Sequence, residues 1–373
     1  MTDSTNTLQH EAAAARGSPV EVFGAFLKLG LTSFGGPIAH LGYFRSEFVE
    51  RRRWLDDRSY SDLVALCQFL PGPASSQVGM ALGLGRAGWL GLLAAWAGFT
   101  LPSAIALILF AFGIAEYQGL AQSGWVHGLK VVAVAIVAQA VWGMAKSLCP
   151  DRPRAALAIL AALLTMVLPS AAGQLAAIAV AGLLGWWTLK IAQPGGGHAH
   201  SYPVSRKLGI VALLLFAAPL VGLPLWAAAT DSSTIALLEG VYRSGALVFG
   251  GGHVVLPLLQ ASVVPSGVVS NADFLAGYGA AQAVPGPLFT FSAYLGAVAH
   301  GPLHGWIGGL ALLGTIFLPA FFRFFSQLSG ERRTADGSDL LFLRQQTGAG
   351  RGRAGLYVPS GRLDGIPSWQ VAL

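Results

Sequence analysis

LTSFGGPIAHLG, residues 31–42, lies inside an apolar stretch that runs from about Val20 to Leu41. Two glycines and a proline interrupt that stretch where an uninterrupted helix would be expected. GALVFGGGHVVLP, residues 245–257, repeats the interruption far downstream. A shift of 215 places Lys28 on Arg243, Gly30 on Gly245, and Phe34-Gly35-Gly36 on Phe249-Gly250-Gly251. A chain that breaks a helix twice in the same way has a use for the break.

Composition sets the surroundings of both breaks. Of 373 residues, 54% are hydrophobic and only 11% charged, and the mean hydropathy of +0.60 is far above that of soluble domains. This implies a polytopic membrane protein, all-α because lipid leaves no partner for unpaired backbone groups. A span takes roughly 17–25 residues. Runs of that kind are read at 87–115, 126–148, 155–170, 174–191, 205–229 and 304–322, the third and fourth marginal in length. The first 19 residues show no cleavable signal pattern. Cys67 and Cys149 lack metal-ligand spacing and read as packing residues.

The net charge of +6 does not point to nucleic acid, because the cations sit in short clusters between apolar runs and form no basic face with interleaved aromatics. They read as topology signals. Arg45, Arg51, Arg52, Arg53 and Arg58 crowd one loop, which the positive-inside rule assigns to the cytoplasm. Lys146, Arg152 and Arg154 form a second cluster, and Lys190, Arg206 and Lys207 a third. All three share one side only if 60–84 and the FGG segments enter and leave on the same face, as broken hairpins. Five crossings then separate the two FGG segments, and an odd number inverts the second copy.

The duplication extends beyond one motif. Gln68, Pro71, Gly72 and Pro73 fall on Gln282, Pro285, Gly286 and Pro287 at a shift of 214. GWLG at 88–91 falls on GWIG at 305–308, and Leu101-Pro102 on Leu318-Pro319, at a shift of 217. Ordered anchors at nearly constant shift mark an internal repeat. Irregular backbone at membrane depth survives only where it is buried in protein or lines a wet cavity. Matching breaks in inverted repeats therefore point to a transport site near the midplane. Half-helix N-termini there present free N–H groups and a positive dipole end, which suits an anion. Lys28 and Arg243 add one cation per half, and Gln68 and Gln282 are amide donors for an oxyanion beside facing Pro-Gly-Pro turns. A plainer account gives the glycines and prolines to helix packing and lets the two cations snorkel to headgroups.

Enzyme signals are thin. His198 and His200 lie in a Pro/Gly-rich linker without cysteine or acidic neighbours, and His40 and His253 do not align across the repeat. Neither a nucleophilic triad nor paired carboxylates occur in the apolar segments, and nothing calls for a cofactor or a metal.

LGLTSFGGPIAHLG, QFLPGPASSQVG, FGGGHVVLPLL and GYGAAQAVPGPLF together resemble the chromate ion transporter family, in its long two-domain form, over about residues 20–320. The resemblance implies export of chromate across a bacterial inner membrane, with sulfate as a competing or exchanged anion. A passive channel or a sulfate/molybdate permease is the alternative, and a homo-oligomer in the bilayer is compatible with either. It also implies a glutamate after each glycine motif. Glu47 fills that place in the first half as a coupling or gating candidate, but Ser262 stands in the second; the tryptophan that follows is kept as Trp54 in the first half and replaced near Val268 in the second.

The domain reading follows. Residues 1–19 are a polar N-terminal segment, 20–191 a first repeat, 192–233 a linker with one span, 234–322 an incomplete second repeat, and 323–373 a polar tail expected to be disordered. The abrupt loss of apolar character after Pro319 reads as a frame shift or truncation near residue 322.

Overall fold

In the computed structural model of the chain, the described residues are 17–116, 149–168, 171–189, 205–248 and 252–330, with isolated helical positions between 124 and 146. The span expected at 126–148, apart from those isolated positions, the 192–204 part of the linker read at 192–233, and the tail after 330 lie outside them.

The chain is an all-α membrane protein. Helix α1, Pro19–Thr32, starts where the Ser18 hydroxyl accepts the Glu21 N–H at 3.1 Å and Pro19 presets the first turn. It stops at Ser33, and Gly35 (φ +95) and Gly36 (φ +76) reverse the chain into α2, Gly36–Phe44. A π-helix, Arg45–Arg51, carries the arginine-rich loop to α3, Asp57–Phe69, which Asp56 caps through the Ser59 N–H. Leu70 is extended, as residues before proline are, and Gly72 (φ +116) turns the chain into α4, Ala74–Glu116.

Helix α4 is two helices meeting at Ala87 and Gly88, where φ and ψ leave the helical region. The apolar run expected from 87 is its second arm. Helices α5, Arg152–Val167, and α6, Ala171–Thr188, pack on each other. They correspond to the marginal spans at 155–170 and 174–191. Helix α7, Arg206–Thr230, matches the span expected at 205–229. Most of α7 faces outward; Pro219 leaves the Leu215 carbonyl without its helical donor, and the Tyr242 hydroxyl crosses over to donate to Phe216 at 2.9 Å.

The second half repeats the first. Helix α8, Ser233–Ala246, leads to the second glycine break, which resumes as a short 3₁₀ turn, Gly252–Val254, and α9, Val255–Val263. Helix α10, Asn271–Ala283, runs to an extended Val284 and a second glycine turn at Gly286 (φ +110). A 3₁₀ turn, Leu288–Thr290, then opens α11, Phe291–Val298, and α12 follows at Gly305–Gly330. The last helix therefore continues eight residues past the expected boundary at 322. Three described segments are long and apolar enough to cross a membrane: Ala74–Gly113, Lys207–Thr230 and Gly305–Ser326.

Two apolar cores are exchanged between the halves. Phe26, Phe44, Phe48 and Phe99 centre the first, which also takes Phe324 from the end of α12. The second, around Phe289, Phe291 and Phe317, takes Ala104, Leu107 and Ile108 from the far arm of α4. Each half thus lends a helix end to the other's core.

Candidate functional site

Where the breaks meet, the two halves are tied by reciprocal backbone hydrogen bonds. The Gly72 N–H donates to the Val248 carbonyl at 2.8 Å, and the Gly286 N–H donates to the Ser33 carbonyl at 3.0 Å. Gly72 and Gly286 are repeat partners, as are Ser33 and Val248. Residue i on j′ and j on i′ is the signature of a twofold relation. The direct partner of each Pro-Gly-Pro turn is thus the opposite half's glycine break.

Glycine is required at both turns. A Cβ on Gly72 would stand 2.9 Å from that of Ala320, and one on Gly286 would stand 2.8 Å from the Ser103 hydroxyl, in addition to the strain of positive φ. Ala320 and Ser103 are themselves repeat partners. The pseudo-axis passes close to Pro37 and Gly252, also repeat partners, since a Cβ on Gly252 would lie 3.4 Å from Pro37 Cγ and 3.3 Å from Leu288 Cβ. The first turns of α2, the Gly252 3₁₀ turn and the Leu288 3₁₀ turn therefore converge. Pro37 is at the start of α2, whose Gly35 cap offers no side-chain acceptor, so the α2 N–H groups have no capping side chain.

Pro71, Gly72 and Pro73 are buried; Pro287 is buried, while Pro285 and Gly286 are half-buried. Gly35 is exposed, Gly36 half-buried, and Gly250 and Gly251 lie outside the described residues. Gln68 is exposed, whereas Gln282 is half-buried, with its amide nitrogen buried and unpartnered among the described residues. Lys28 is exposed, its ammonium 4.0 Å from Glu47. Arg243 is exposed too and pairs with Glu239 at 3.2 Å, one turn away.

Glu47 is only 7% exposed, in the arginine-rich loop outside the spans. Arg51 donates two hydrogen bonds to its carboxylate and Arg52 a third at 2.7 Å. These bonds, Arg51's foremost, outweigh burial and hold the carboxyl down at about 2. Ser262, the repeat partner, instead packs on Gly240, whose added Cβ would lie 2.8 Å from Ser262 Cβ. The departure from the twofold pattern is therefore a charged clamp in one half and neutral close packing in the other.

Several polar side chains stand near the crossings, and of these the sequence reading singles out only His40. Ser33, His40, Ser76, Gln77 and Thr100 are at most 2% exposed and each has a side-chain polar atom with no hydrogen-bond partner among the described residues. Buried polar atoms left unpaired are costly, so each of these groups calls for a partner such as water or a ligand. For Ser76 and Gln77 the signal available in the sequence was Ser75-Ser76-Gln77, one residue after the first Pro-Gly-Pro and inside an otherwise apolar segment. Among the described residues, no group of three His, Cys, Asp or Glu could hold a metal ion.

A family model described as chromate transporter matches residues 20–186 and 235–330. The chain is 30% identical over 336 residues to a chromate transport protein of Pseudomonas aeruginosa, covering 86% of this chain and 74% of that one. It is 27% identical over 306 residues to a probable chromate transport protein of Synechococcus elongatus, covering 79% and 72%. To a chromate transport protein of Cupriavidus metallidurans it is 26% identical over 306 residues, covering 79% and 70%. No solved structure matches the chain significantly.

Proposed function

The chain belongs to the chromate transporter family, and on that premise we propose that it is a secondary transporter exporting chromate across a bacterial inner membrane, with sulfate as a competing or exchanged anion. The observation that carries this reading is the reciprocal crossing of broken helices, Gly72 on Val248 and Gly286 on Ser33, lined by buried unpaired donors. A tetrahedral dianion needs hydrogen-bond donors in place of its water shell and must still be released. Neutral donors and helix N-termini meet both needs, because a fully charged pocket would hold a dianion too tightly to turn over.

Lys28 and Arg243 are assigned to the approach on either side of the crossing, and Gln68 and Gln282 are assigned as amide donors to the oxyanion. The glycines and prolines at 35–36, 71–73 and 285–287 are assigned to its floor. Glu47 is assigned to coupling or gating in the first half alone. The bilayer is the remaining partner, presented to the outward apolar face of α7.

Proteoliposomes holding the full chain test the reading. Chromate inside the vesicles and sulfate outside should accelerate chromate exit above the rate without sulfate. Chromate that only runs downhill, indifferent to the opposite anion, would make the protein a channel; an unmoved chromate pool would remove transport altogether.

A further inference from the structure

The two crossings are alike in backbone and unlike in chemistry. Among the described residues around the Gly286 to Ser33 hydrogen bond, the Ser33 and Thr100 hydroxyls are buried without a hydrogen-bond partner, the Tyr278 hydroxyl and the Gln282 amide turn only to each other, and the His40 ring turns only to the Ser33 backbone. These groups come from both halves. Ser33 begins the first glycine break, and His40 sits a turn into α2 with its ring edge-on to Phe99 at 5.2 Å. Thr100 follows Phe99 on α4, one turn from the Ser103 that abuts Gly286. Tyr278 and Gln282 are one turn apart on α10, which packs on α4 and runs directly into the Gly286 turn.

At the twofold-related crossing, the partners of Ser33, His40, Thr100 and Tyr278 are Val248, Val255, Phe317 and Val64. None of these side chains can donate. Gln68 alone repeats a donor, and it is exposed. Duplicated backbone keeps the glycine geometry in both places, since both turns need positive φ. The Gly72 crossing has polar neighbours of its own, the Ser76 hydroxyl and Gln77, but the Gln77 amide is committed to the Pro71 carbonyl at 3.0 Å. The larger set of buried polar groups therefore stands at the Gly286 crossing, where unpaired groups cost stability in the empty protein.

We infer that the oxyanion binds off the pseudo-axis, in the Ser33–Gly286 crossing, with Ser33, His40, Thr100, Tyr278 and Gln282 as its hydrogen-bonding wall. The twofold-related crossing is a structural pivot. This rests on the transport reading above and assigns the substrate's contacts within it.

The test is equilibrium binding of radiolabelled chromate to the full-length protein in detergent. Ser33→Ala, Thr100→Val and Gln282→Met each remove a donor with little change in shape. Each is expected to weaken binding about tenfold, the equivalent of roughly 1.4 kcal/mol for one lost hydrogen bond to a charged ligand. Val255→Ala and Phe317→Leu, at the pivot, should stay within about twofold of wild type. Equal weakening at both crossings, or none at the polar one, overturns the inference while leaving transport standing. Wild-type protein that binds no chromate overturns both. A second measurement does not depend on the donor variants folding well. In a background with Cys67→Ala and Cys149→Ala, Ser33→Cys should react with a methanethiosulfonate reagent from water and be protected by chromate. Val255→Cys should show no chromate protection, and protection there equal to that at Ser33→Cys would overturn the inference.

Discussion

Single residues at the breaks and in the arginine loop carry consequences that can be measured separately. Gly72→Ala and Gly286→Ala each impose positive φ on a residue with a Cβ, a strain of about 1–3 kcal/mol, and each new methyl meets Ala320 or Ser103. Both variants are expected to lower the thermal midpoint and to abolish chromate flux, because they displace the N–H that joins the halves. A variant with wild-type melting and flux would show that the crossing tolerates side chains. Glu47 gives a pH signature instead. Its carboxyl is held at about 2 in the folded protein against an ordinary value of 4.5, so folding favours the ionised form. The resulting stability is complete above about pH 5 and fades as pH falls through 4.5 toward 2. The melting difference between wild type and Glu47→Gln should therefore be constant from pH 7 to about 5 and shrink below that. A difference that grows on acidification would contradict the clamp. The sequence showed Glu47 and its missing counterpart Ser262, but not that Arg51 and Arg52 both turn back onto it. That depends on the π-helical winding of Arg45–Arg51, which no local residue pattern announces.

Among the elements, the glycine hairpins at GWLG and GWIG do the same task in both halves. In α4 the chain reverses at Ala87 and Gly88, so the backbones of Gly83 and Gly91 touch; between α11 and α12, Gly296 and Gly308 touch in the same way. Any Cβ at Gly91 or Gly308 meets a carbonyl oxygen across the pair. Gly91→Leu and Gly308→Leu are expected to destabilise by at least the 1–3 kcal/mol typical of overpacking. Differential scanning fluorimetry in detergent would register this as a lower midpoint. Gly85 is the internal control, since nothing lies within 4 Å of a Cβ placed there. Gly85→Ala should raise helix stability by about 0.5–1 kcal/mol. If Gly85→Ala and Gly91→Leu shift the midpoint alike, the close approach is not what the glycines serve. The repeat anchors and the spans at 205–229 and 304–322 were legible as sequence because hydropathy and Pro/Gly placement act locally. The boundary read between the 60–84 segment and the span from 87 falls at the Ala87-Gly88 reversal, but the contact of Gly83 on Gly91 across it was not legible, because it depends on how tightly the two arms close.

At the scale of the whole molecule, the halves are held by two backbone hydrogen bonds and by exchanged helix ends, with Pro37 and Gly252 in contact near the pseudo-axis. Secondary transporters built from repeats alternate access by rocking one unit against the other around a fixed site. In such a motion the contact on the axis changes least in position and most in angle. A covalent tie there should therefore leave the site formed and stop the rocking. Pro37→Cys with Gly252→Cys supplies the tie: Pro37 Cγ stands 3.4 Å from the Cβ position of Gly252, and the Pro37 Cβ is bonded to that Cγ, so the Cβ–Cβ separation is at most about 4.9 Å, against the roughly 3.5–4.5 Å that a disulfide spans. Leu288 must give by a few tenths of an ångström to admit the Gly252 side chain, so each single variant serves as its own control. In the Cys67→Ala, Cys149→Ala background, the oxidised double variant is expected to bind chromate as the reduced form does, to transport none, and to recover flux on reduction. Full flux with the disulfide shown intact by gel mobility would mean that the halves move as one body and that access alternates elsewhere, within a single half.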